Sequence, residues 1–416
     1  MSLWKASAME KFDGAKERLP SRVREVPQLI KAYLTKMRVI YLVIGSVFAY
    51  LLISALPGSR DNLKKYYCFG PAMSPLQMDM NTYSEWHAKS PTPVEFNTHV
   101  PLEVTNSTIQ MHDLNMVKST KDAAKNREKV LILTPLRDSA PYLSKYFELL
   151  MALSYPHELI DLGFLISDTT DETLSVLSAE LEDIQAGTNP FRSVQIYQKD
   201  FGVTLDNNDV HNRHAMEVQA SRRKTMGKAR NFLLTSALKN DHSWVMWRDV
   251  DIVENPPTII EDFIRHDTDI IVPNIWFHRY ENGKDIEGKF DYNSWVETEQ
   301  GLKLAESLGK DVVIAEGYKE FKTGRKHMAK MGNWRWDQHQ EIELDGVGGV
   351  NIVVKADVHR AGINFPSYPF ENQAETEGFA KMAKRAGYRV VGLPNYVVWH
   401  IDTDEKKKMT SGAASL

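Results

Sequence analysis

The stretch Ser243–Glu254, SWVMWRDVDIVE, decides the fold, because it changes from an apolar strand to a charged loop within a few residues. The apolar residues 244–247 predict a buried strand. Asp249 and Asp251 follow it, and strand alternation turns both side chains to the same side. Two converging carboxylates repel each other unless a cation lies between them, and their oxygens suit Mn²⁺ or Mg²⁺. The alternative is a pair of solvated loop carboxylates, since a D-x-D string often occurs by chance.

Length, charge and cysteine content narrow the class of protein. The 416 residues are enough for a membrane anchor plus one large domain or two medium ones. The net charge of −4 does not indicate a nucleic-acid partner. Cys68 is the single cysteine, so no intrachain disulfide can form, while an unpaired thiol and an interchain disulfide both stay open.

The amino-terminal region has the pattern of a membrane anchor. Residues 1–38 carry nine Lys and Arg against four acidic residues, and Val39–Leu56 then runs 18 residues without a charge. This pattern predicts a cytosolic tail at 1–38 and a single transmembrane helix at 39–56, with the rest of the chain in a lumen. A buried core helix is the alternative. Residues 57–126 are expected to form a luminal stem, and Asn106 begins an N-glycosylation triplet that agrees with this topology.

Beyond the stem, strands and helices alternate. Val130–Thr134, Leu162–Ile166 and Ser193–Tyr197 are predicted strands, separated by predicted helices of 12 to 16 residues. This alternation predicts an α/β fold with a mainly parallel sheet flanked by helices. In such sheets ligands bind beyond the carboxyl ends of the strands. Three such ends are expected to meet at one edge: Pro135–Asp138, Ser167–Asp171 and Arg248–Asp251.

A basic helix is predicted within Asp209–Leu238, directly before the D-x-D strand. Its apolar residues have helical spacing, so one face packs on the sheet. Arg223, Lys228 and Arg230 are candidates to neutralise a diphosphate. A solvated basic face is the alternative.

The carboxy-terminal half contributes further strands and a glycine-rich turn. Asp269–Trp276 and Val312–Tyr318 are predicted strands, and the polar, aromatic segment Phe277–Gln300 is predicted to be a substrate-side loop. The glycines in Glu343–Val354 are expected where the chain approaches a ligand closely, or in an internal turn. Within Ala374–Gly387, Glu375 and Glu377 are predicted to lie just before an amphipathic helix that Gly387 ends. Arg389–Leu393 and Tyr396–Trp399 are then predicted strands. Residues 403–416 are expected to form a flexible tail.

Eight sequence blocks resemble one family in their order and spacing. They are TPLRD, SDTTDE, WRDVDIVENPPTIIEDF, VPNIW, EGY, LDGVGGV, ETEGFAKMAKR and GLPNYVVWH, and they extend over about Lys129–His400. The chain resembles the fungal mannan polymerase subunits of the Anp/Van/Mnn group, glycosyltransferase family 62, and most nearly the Van-type subunit. The resemblance implies a GT-A catalytic domain over 127–402, Mn²⁺ (or Mg²⁺), and GDP-mannose as donor. It also implies a type II Golgi protein that extends the α-1,6-mannan backbone of N-glycans in a hetero-oligomer with homologous subunits.

The resemblance also assigns expected roles to residues of this chain. Metal ligands would be Asp249, Asp251 and His400. The nucleotide-binding set would be Pro135, Leu136, Arg137, Asp168, Arg223, Lys228, Arg230, Asp249, Gly348 and Gly349. The catalytic or acceptor-side set would be Glu316, Asp345, Glu375 and Glu377. Thr323-Gly324-Arg325-Lys326 departs from the Thr-aromatic-Arg-Pro of several relatives, on the acceptor side.

Three functions follow as hypotheses. The first is retaining mannosyl transfer, since an α-linked donor would give an α-linked product, through either a nucleophilic carboxylate or front-face attack. The second is a largely structural subunit that binds donor and positions a catalytic partner. The third is transfer from another nucleotide sugar.

Overall fold

The computed structural model describes residues 26–55, 108–202, 216–281, 283–318 and 320–402. The chain divides into two units, Met1–Thr105 and Asn106–Leu416. In the first unit the structure describes helix α1, Val26–Ala55. Within the described ranges, no helix combines the length and apolarity that a membrane crossing requires. The predicted cytosolic tail before residue 26, Leu56, Cys68, the glycosylation triplet's Asn106 and the tail 403–416 lie outside the described residues.

The second unit is built around one mixed sheet. Its strands are β1 Lys129–Leu136, β2 Ile160–Ile166, β3 Ser193–Gln198, β4 His242–Arg248, β5 Ile252–Glu254, β6 Ile270–Glu281, β7 Lys284–Lys289, β10 Ile342–Glu343, β11 Asn351–Lys355 and β12 Val390–His400, while β8 Trp295–Val296 and β9 Lys326–His327 form a separate pair. Its α-helices are α2 Leu143–Met151, α3 Thr173–Ala186, α4 Met216–Ala237, α5 Ile259–Ile264, α6 Glu299–Ser307, α7 Ala356–Arg360 and α8 Glu375–Arg385.

The strand order of the sheet is β10-β12-β6-β11-β4-β1-β2-β3, with β5 on β12 and β7 on β6. Strands β3, β2, β1 and β4 are parallel, as the alternating pattern predicts. Strand β11 is antiparallel to both its neighbours, β4 and β6. The sheet is therefore mixed rather than mainly parallel. The reversal arises because the chain enters β11 from the carboxyl edge of β4, where Asn351 lies opposite Arg248.

Apolar side chains cover both faces of the sheet, which explains the unbroken apolar runs in its central strands. Along β4, Trp244 and Met246 pack on one face, and Val245 and Trp247 pack on the other. Burial on both faces fixes the register of β4, because a one-residue shift would exchange the two sets of side chains. The loop that leaves β4 is thereby placed at the edge where β1 and β2 also end.

The last residues of the predicted stem pack on this unit. Ser119 donates a hydrogen bond to the carbonyl oxygen of Ser243 at 2.7 Å. Glu128 accepts from the backbone and hydroxyl of Thr120, and Ala123 is buried in the core. Residues 119–128 therefore pack as part of the sheet domain.

Three predictions in the carboxy-terminal half are wrong. Phe277–Gln300 is not one long loop, because β6 continues to Glu281 and pairs with β7 in an antiparallel ribbon. Val312–Tyr318 forms no strand: its buried apolar residues are held by loop contacts, such as the bond from the Ile314 amide to the Asn372 carbonyl. The two predicted final strands are one continuous strand, β12, despite Pro394.

Candidate active site

The end of β4 and the end of β12 bring two of the three predicted metal ligands into contact. Asp251 Oδ1 lies 3.0 Å from His400 Nε2, although the two residues are far apart in sequence. Strand β5 follows Asp251 directly and pairs with β12, so that Ile252 lies opposite His400. Asp249 leaves the end of β4 with its amide donating to Val350 O at 2.8 Å. The strand pairing therefore explains why a carboxy-terminal histidine reaches the D-x-D loop.

The hydrogen bonding of His400 determines which ring nitrogen faces Asp251 with a lone pair. Its Nδ1 lies 2.7 Å from the carbonyl oxygen of Ile401, which can only accept, so Nδ1 carries a proton. In the neutral ring, Nε2 then presents a lone pair to the carboxylate of Asp251, and two acceptors in contact require a cation, either a proton or a metal. Phe290 stacks on the ring at 3.7 Å between centroids and fixes its plane.

These residues fit a divalent cation in part. Two adjacent ligands of an octahedral ion, each about 2.1 Å from it, lie about 3 Å apart. Asp251 Oδ1 and His400 Nε2 have that separation. Asp249 turns toward Arg230 instead, and the described residues contain no group of three His, Cys, Asp or Glu side chains arranged to hold a metal.

Arg230 on α4 lies at the centre of the site. Its guanidinium is buried over the rings of Trp247 and Phe365. Its Nε donates to Glu375 at 3.1 Å, and its Nη2 donates to Gly349 O at 3.1 Å. Nη2 also lies 3.6 Å from Asp249 Oδ1. The buried Nη1 has no hydrogen-bond partner among the described residues, so it remains able to donate.

The environment shifts the ionisation of Asp249. Burial raises its pKa to about 7, Arg230 opposes the rise, and the neighbouring carboxylate of Asp251 adds to it. A divalent metal ion bound beside Asp249 would act in the same direction as Arg230 and favour the ionised carboxylate.

A second arginine, Arg223, lies about two turns before Arg230 on α4. It forms an ion pair with the fully buried Glu377, and its Nη2 donates to Asn293 at 2.9 Å. Glu377 also accepts from Trp295 Nε1 at 3.0 Å. Burial lowers the pKa of Arg223, and Glu375 and Asp291 oppose that shift. Arg230 thus places positive charge beside Asp249 of the D-x-D loop, while Arg223 pairs with Glu377.

The predicted glycine block approaches side chains of the site. An added Cβ at Gly349 would lie 2.7 Å from Arg230 Nη2, and an added Cβ at Gly348 would collide with the carboxylate of Asp291. Their small size is therefore needed where the turn before β11 passes the charged residues. The same turn carries Val350, whose carbonyl oxygen accepts a hydrogen bond from the amide of Asp249.

Glu375 begins α8 in an unusual backbone conformation. Its φ is +54°, a region that non-glycine residues seldom adopt, and its side chain is buried against Arg230. The hydrogen bond from its amide to Pro366 O holds this conformation. Glu375 and Glu377 therefore lie in the first turn of α8 rather than before the helix.

The predicted nucleotide loops meet each other at the same sheet edge. Pro135 and Leu136 are the last residues of β1, and Arg137 follows them. The amide of Asp138 donates to Thr169, and Asp138 Oδ1 accepts from Thr170, so these two loops touch as expected. The carboxylate of Asp168 is already engaged, because it accepts from the amides of Phe201 and Gly202. Asp168 therefore fixes the loop after β3.

Three other predicted residues lie apart from the Arg230 cluster. Lys228 is exposed on α4, and the structure gives it no ion pair with the described residues of the site. Asp345 accepts from the amide of Glu297 and pairs with Lys384. Glu316 binds Arg325 Nη1 at 2.8 Å and lies 2.9 Å from His327 Nε2. The charge of Glu316 also opposes the lowering that burial causes in the pKa of Arg223.

Sequence reasoning missed Asp291. This residue is buried next to Gly348 and accepts a hydrogen bond from the amide of Asn293 at 2.8 Å. Burial raises its pKa, and the charges of Arg223 and His400 oppose that rise. In the sequence Asp291 begins the string DYNSW, which lies inside the segment predicted to be a substrate-side loop. A single aspartate in such a segment gives no spacing from which a role follows.

Comparison with known proteins identifies the family. The Anp1 family model matches residues 108–369. The chain belongs to the Anp1 family. It is 48% identical over 311 residues to the mannan polymerase II complex anp1 subunit of Schizosaccharomyces pombe, covering 73% of this chain and 72% of that one. It is 40% identical over 359 residues to the mannan polymerase I complex VAN1 subunit of Saccharomyces cerevisiae, covering 74% and 67%.

One solved structure is also similar to this Anp1-family chain. It is a mannosyltransferase from Pyrobaculum calidifontis in complex with GDP-Man and Mn²⁺, with 12% identity and a TM-score of 0.37, covering 68% of this chain and 59% of that one. The family assignment rests on the sequence relatives. Glu375, Glu377 and His400 lie beyond the matched range 108–369.

Proposed function

We propose that this chain is a metal-dependent α-mannosyltransferase that transfers mannose from GDP-mannose to the α-1,6-mannan backbone of N-glycans with retention. The observation that carries the proposal is the contact between Asp251 and His400 beside Asp249 and the buried Arg230. The GT-A assignment of residues 127–402 is part of this proposal, supported by the mixed α/β sheet whose strand ends hold these residues.

Asp251 and His400 would hold Mn²⁺ or Mg²⁺, and Asp249 would join them by turning from Arg230. When bound, such an ion supplies Lewis-acid stabilisation of diphosphate oxygens. His400 suits this role because its Nδ1 donates a hydrogen bond to Ile401 O and leaves Nε2 directed at the site, while Phe290 stacks on the ring and holds its orientation.

Arg230 and Arg223 would stabilise the leaving group. When the bond between the mannose C1 and the phosphate oxygen breaks, its electron pair leaves with the diphosphate, and negative charge grows there. The buried Nη1 of Arg230, which has no partner among the described residues, can donate to that charge. A preorganised guanidinium in a buried site interacts more strongly than it would in water, because little solvent screens it.

The transferase proposal is tested with the full-length chain in detergent, supplied with radiolabelled GDP-mannose, an α-mannoside and Mn²⁺. We expect Asp251→Asn to lower kcat/KM at least a hundredfold, whereas Asp183→Asn, an exposed carboxylate on α3, leaves it unchanged. Near-normal transfer by folded Asp251→Asn would contradict the metal assignment. Competition by GDP but not UDP would distinguish GDP-mannose from another nucleotide sugar.

A structural, donor-binding role is the second candidate. The observation that favours it is that the charged residues of the site already pair with one another: Asp251 with His400, and Arg230 with Asp249 and Glu375. The relatives are named as subunits of mannan polymerase complexes, so a hetero-oligomer with a homologous subunit is expected here too. Transfer that appears only when a partner subunit is added, and that survives Asp251→Asn, would favour this role.

We also propose that the chain is a type II protein of the Golgi membrane with its catalytic unit in the lumen. The support is the charge-free run Val39–Leu56 after a tail of net charge +5, together with the exposed apolar side chains between Val39 and Leu51 on α1. Protease treatment of sealed Golgi vesicles should cleave only the tail. Digestion of the sheet domain in intact vesicles would contradict this topology.

A further inference from the structure

Four aromatic rings form a shelf near the candidate active site. The aromatic shelf consists of His278, Tyr280, Trp334 and Trp399. His278 contacts Trp399 at 4.7 Å and Tyr280 at 5.9 Å between ring centroids, and Trp334 contacts Trp399 at 6.5 Å. Tyr280 is 76% exposed. Exposed aromatic side chains in such a group mark a binding surface more often than isolated ones do.

Carboxylates beside the rings bind them and border the shelf. Glu287 accepts from Trp334 Nε1 and from Arg335 Nη2, each at 3.1 Å, and the Arg335 guanidinium stacks over the Trp334 ring at 4.0 Å. At the other end, His278 lies between Glu254 and Asp285, at 3.7 and 3.4 Å. The shelf therefore combines flat apolar faces with carboxylate acceptors.

The shelf and the candidate active site share the end of β12. Trp399 precedes His400 there, and alternation places the two side chains on opposite faces of the same sheet edge. Glu254 lies three residues after Asp251 and opposite Trp399 in the β5–β12 pair. Along β6, residues 276–280 span about 13 Å, which is longer than a monosaccharide.

We propose that the aromatic shelf binds an extended α-mannoside chain, the acceptor polymer, at sugar residues away from the reacting end. Sugar rings present C–H groups on one face and hydroxyls around the edge. The C–H face can pack on Trp and Tyr, and the hydroxyls can donate to Glu254, Asp285 and Glu287. Aliphatic side chains, which a protein partner would need for a dry interface core, contribute little to the shelf. This inference rests on the proposed mannosyl transfer for its choice of saccharide.

The test compares acceptors of two lengths with a shelf variant of the full-length chain. The variant Tyr280→Ala/Trp334→Ala removes the rings at the two ends of this series of contacts. Phe232→Ala is the matched control, because Phe232 is an aromatic residue that is 48% exposed and contacts Phe201 near β3, at the far end of the sheet. Calorimetric titration with linear α-1,6-mannopentaose, without donor or metal, measures binding independently of catalysis.

We expect the shelf variant to bind mannopentaose about tenfold more weakly than wild type, equivalent to about 1.4 kcal/mol, while the control is unchanged. In transfer assays its KM for mannopentaose should rise about tenfold, with kcat and the KM for methyl α-mannoside unchanged. Absence of mannopentaose binding by wild type, or equal affinity in the shelf variant, would overturn the inference. Loss of subunit assembly with saccharide affinity intact would also overturn it and assign the shelf to a protein partner.

The two proposals fail separately. If wild type binds mannopentaose through the shelf but transfers no mannose, the transferase proposal fails and the saccharide site stands. If transfer occurs with the same KM for both acceptor lengths in wild type and in the shelf variant, the shelf proposal fails and the transferase stands.

Discussion

Replacing Arg230 by methionine tests whether charge pairing holds the candidate active site together. The guanidinium makes two hydrogen bonds of 3.1 Å, to Glu375 and to Gly349 O, and lies 3.6 Å from Asp249. Methionine keeps much of the volume and leaves the buried Glu375 without its cationic partner. Removing one partner of a buried ion pair costs about 3–5 kcal/mol, so we expect the free energy of unfolding to fall by about 4 kcal/mol.

The assay is urea unfolding of the full-length chain, followed by tryptophan fluorescence. Seven of the nine tryptophans belong to the unit Asn106–Leu416, so the signal reports on that unit. Lys228→Met is the matched control: it removes an exposed cation from the same helix and should change stability by less than about 0.5 kcal/mol. Combining Arg230→Met with Glu375→Gln should recover about 1–3 kcal/mol relative to the sum of the single changes, because the carboxylate is no longer left unpaired.

Two results would refute this reasoning. A loss below about 1 kcal/mol in Arg230→Met would show that packing, rather than pairing, determines the stability of this region. Additive effects of Arg230→Met and Glu375→Gln would show that the two side chains do not interact energetically, despite their 3.1 Å contact.

Three further predictions address the glycine turn, the metal site and pH. Gly348→Ala should lower the free energy of unfolding by about 1–3 kcal/mol, because the added Cβ would collide with the carboxylate of Asp291. Gly309→Ala is the control and should leave stability unchanged, since its Cβ would lie 3.9 Å from Cγ2 of Val312. Thermal unfolding measures both variants. Asp251→Asn should abolish the stabilisation that added Mn²⁺ gives to wild type in a thermal shift assay, since the amide is a poorer ligand. His359→Gln should reduce the acid sensitivity of folding: burial lowers the pKa of His359 to about 4, so between pH 6.5 and 4 the unfolded chain binds a proton there that the folded chain does not. Wild-type stability should therefore fall by up to about 3 kcal/mol over that range from this residue, and urea titrations at each pH measure it.

Each of these has an outcome that contradicts it. Equal stability of the Gly348 and Gly309 variants would show that the turn relaxes around Asp291 without cost. A Mn²⁺-dependent shift that persists in Asp251→Asn would place the ion elsewhere. Parallel pH profiles for wild type and His359→Gln would show that His359 gains a proton in the folded protein as readily as in the unfolded one.

The amino-terminal half of the sheet domain could be predicted from sequence because its signals are local. Strands β1, β2 and β4 have apolar runs bounded by polar turns, whereas β3 alternates more weakly. Each of the four is present within a few residues of its predicted position. The meeting of Asp251 with His400 followed from family resemblance and not from spacing. Strand pairing between β5 and β12 brings it about, and sequence periodicity does not show which strands pair.

The remaining errors come from tertiary contacts. The ribbon of β6 and β7 is polar and half-exposed, so it has little of the apolar alternation by which a strand is recognised. The apolar run Val312–Ala315 packs in the core through loop contacts with Asn372, and sequence cannot distinguish this from a short buried strand. Asp168 and Asp345 resemble ligand-binding acids in sequence, but their partners are backbone amides and a lysine supplied by other parts of the chain.

The antiparallel insertion of β11 has a consequence for biogenesis. Strand β4 borders β1 on one side, but its other side stays open until Asn351–Lys355 arrives, roughly one hundred residues later in synthesis. During that interval an apolar strand that carries the D-x-D motif at its end exposes unpaired amide and carbonyl groups, the condition that recruits chaperones and permits misassembly. Premature termination anywhere between β4 and β11 should therefore produce an aggregating fragment rather than a smaller folded protein.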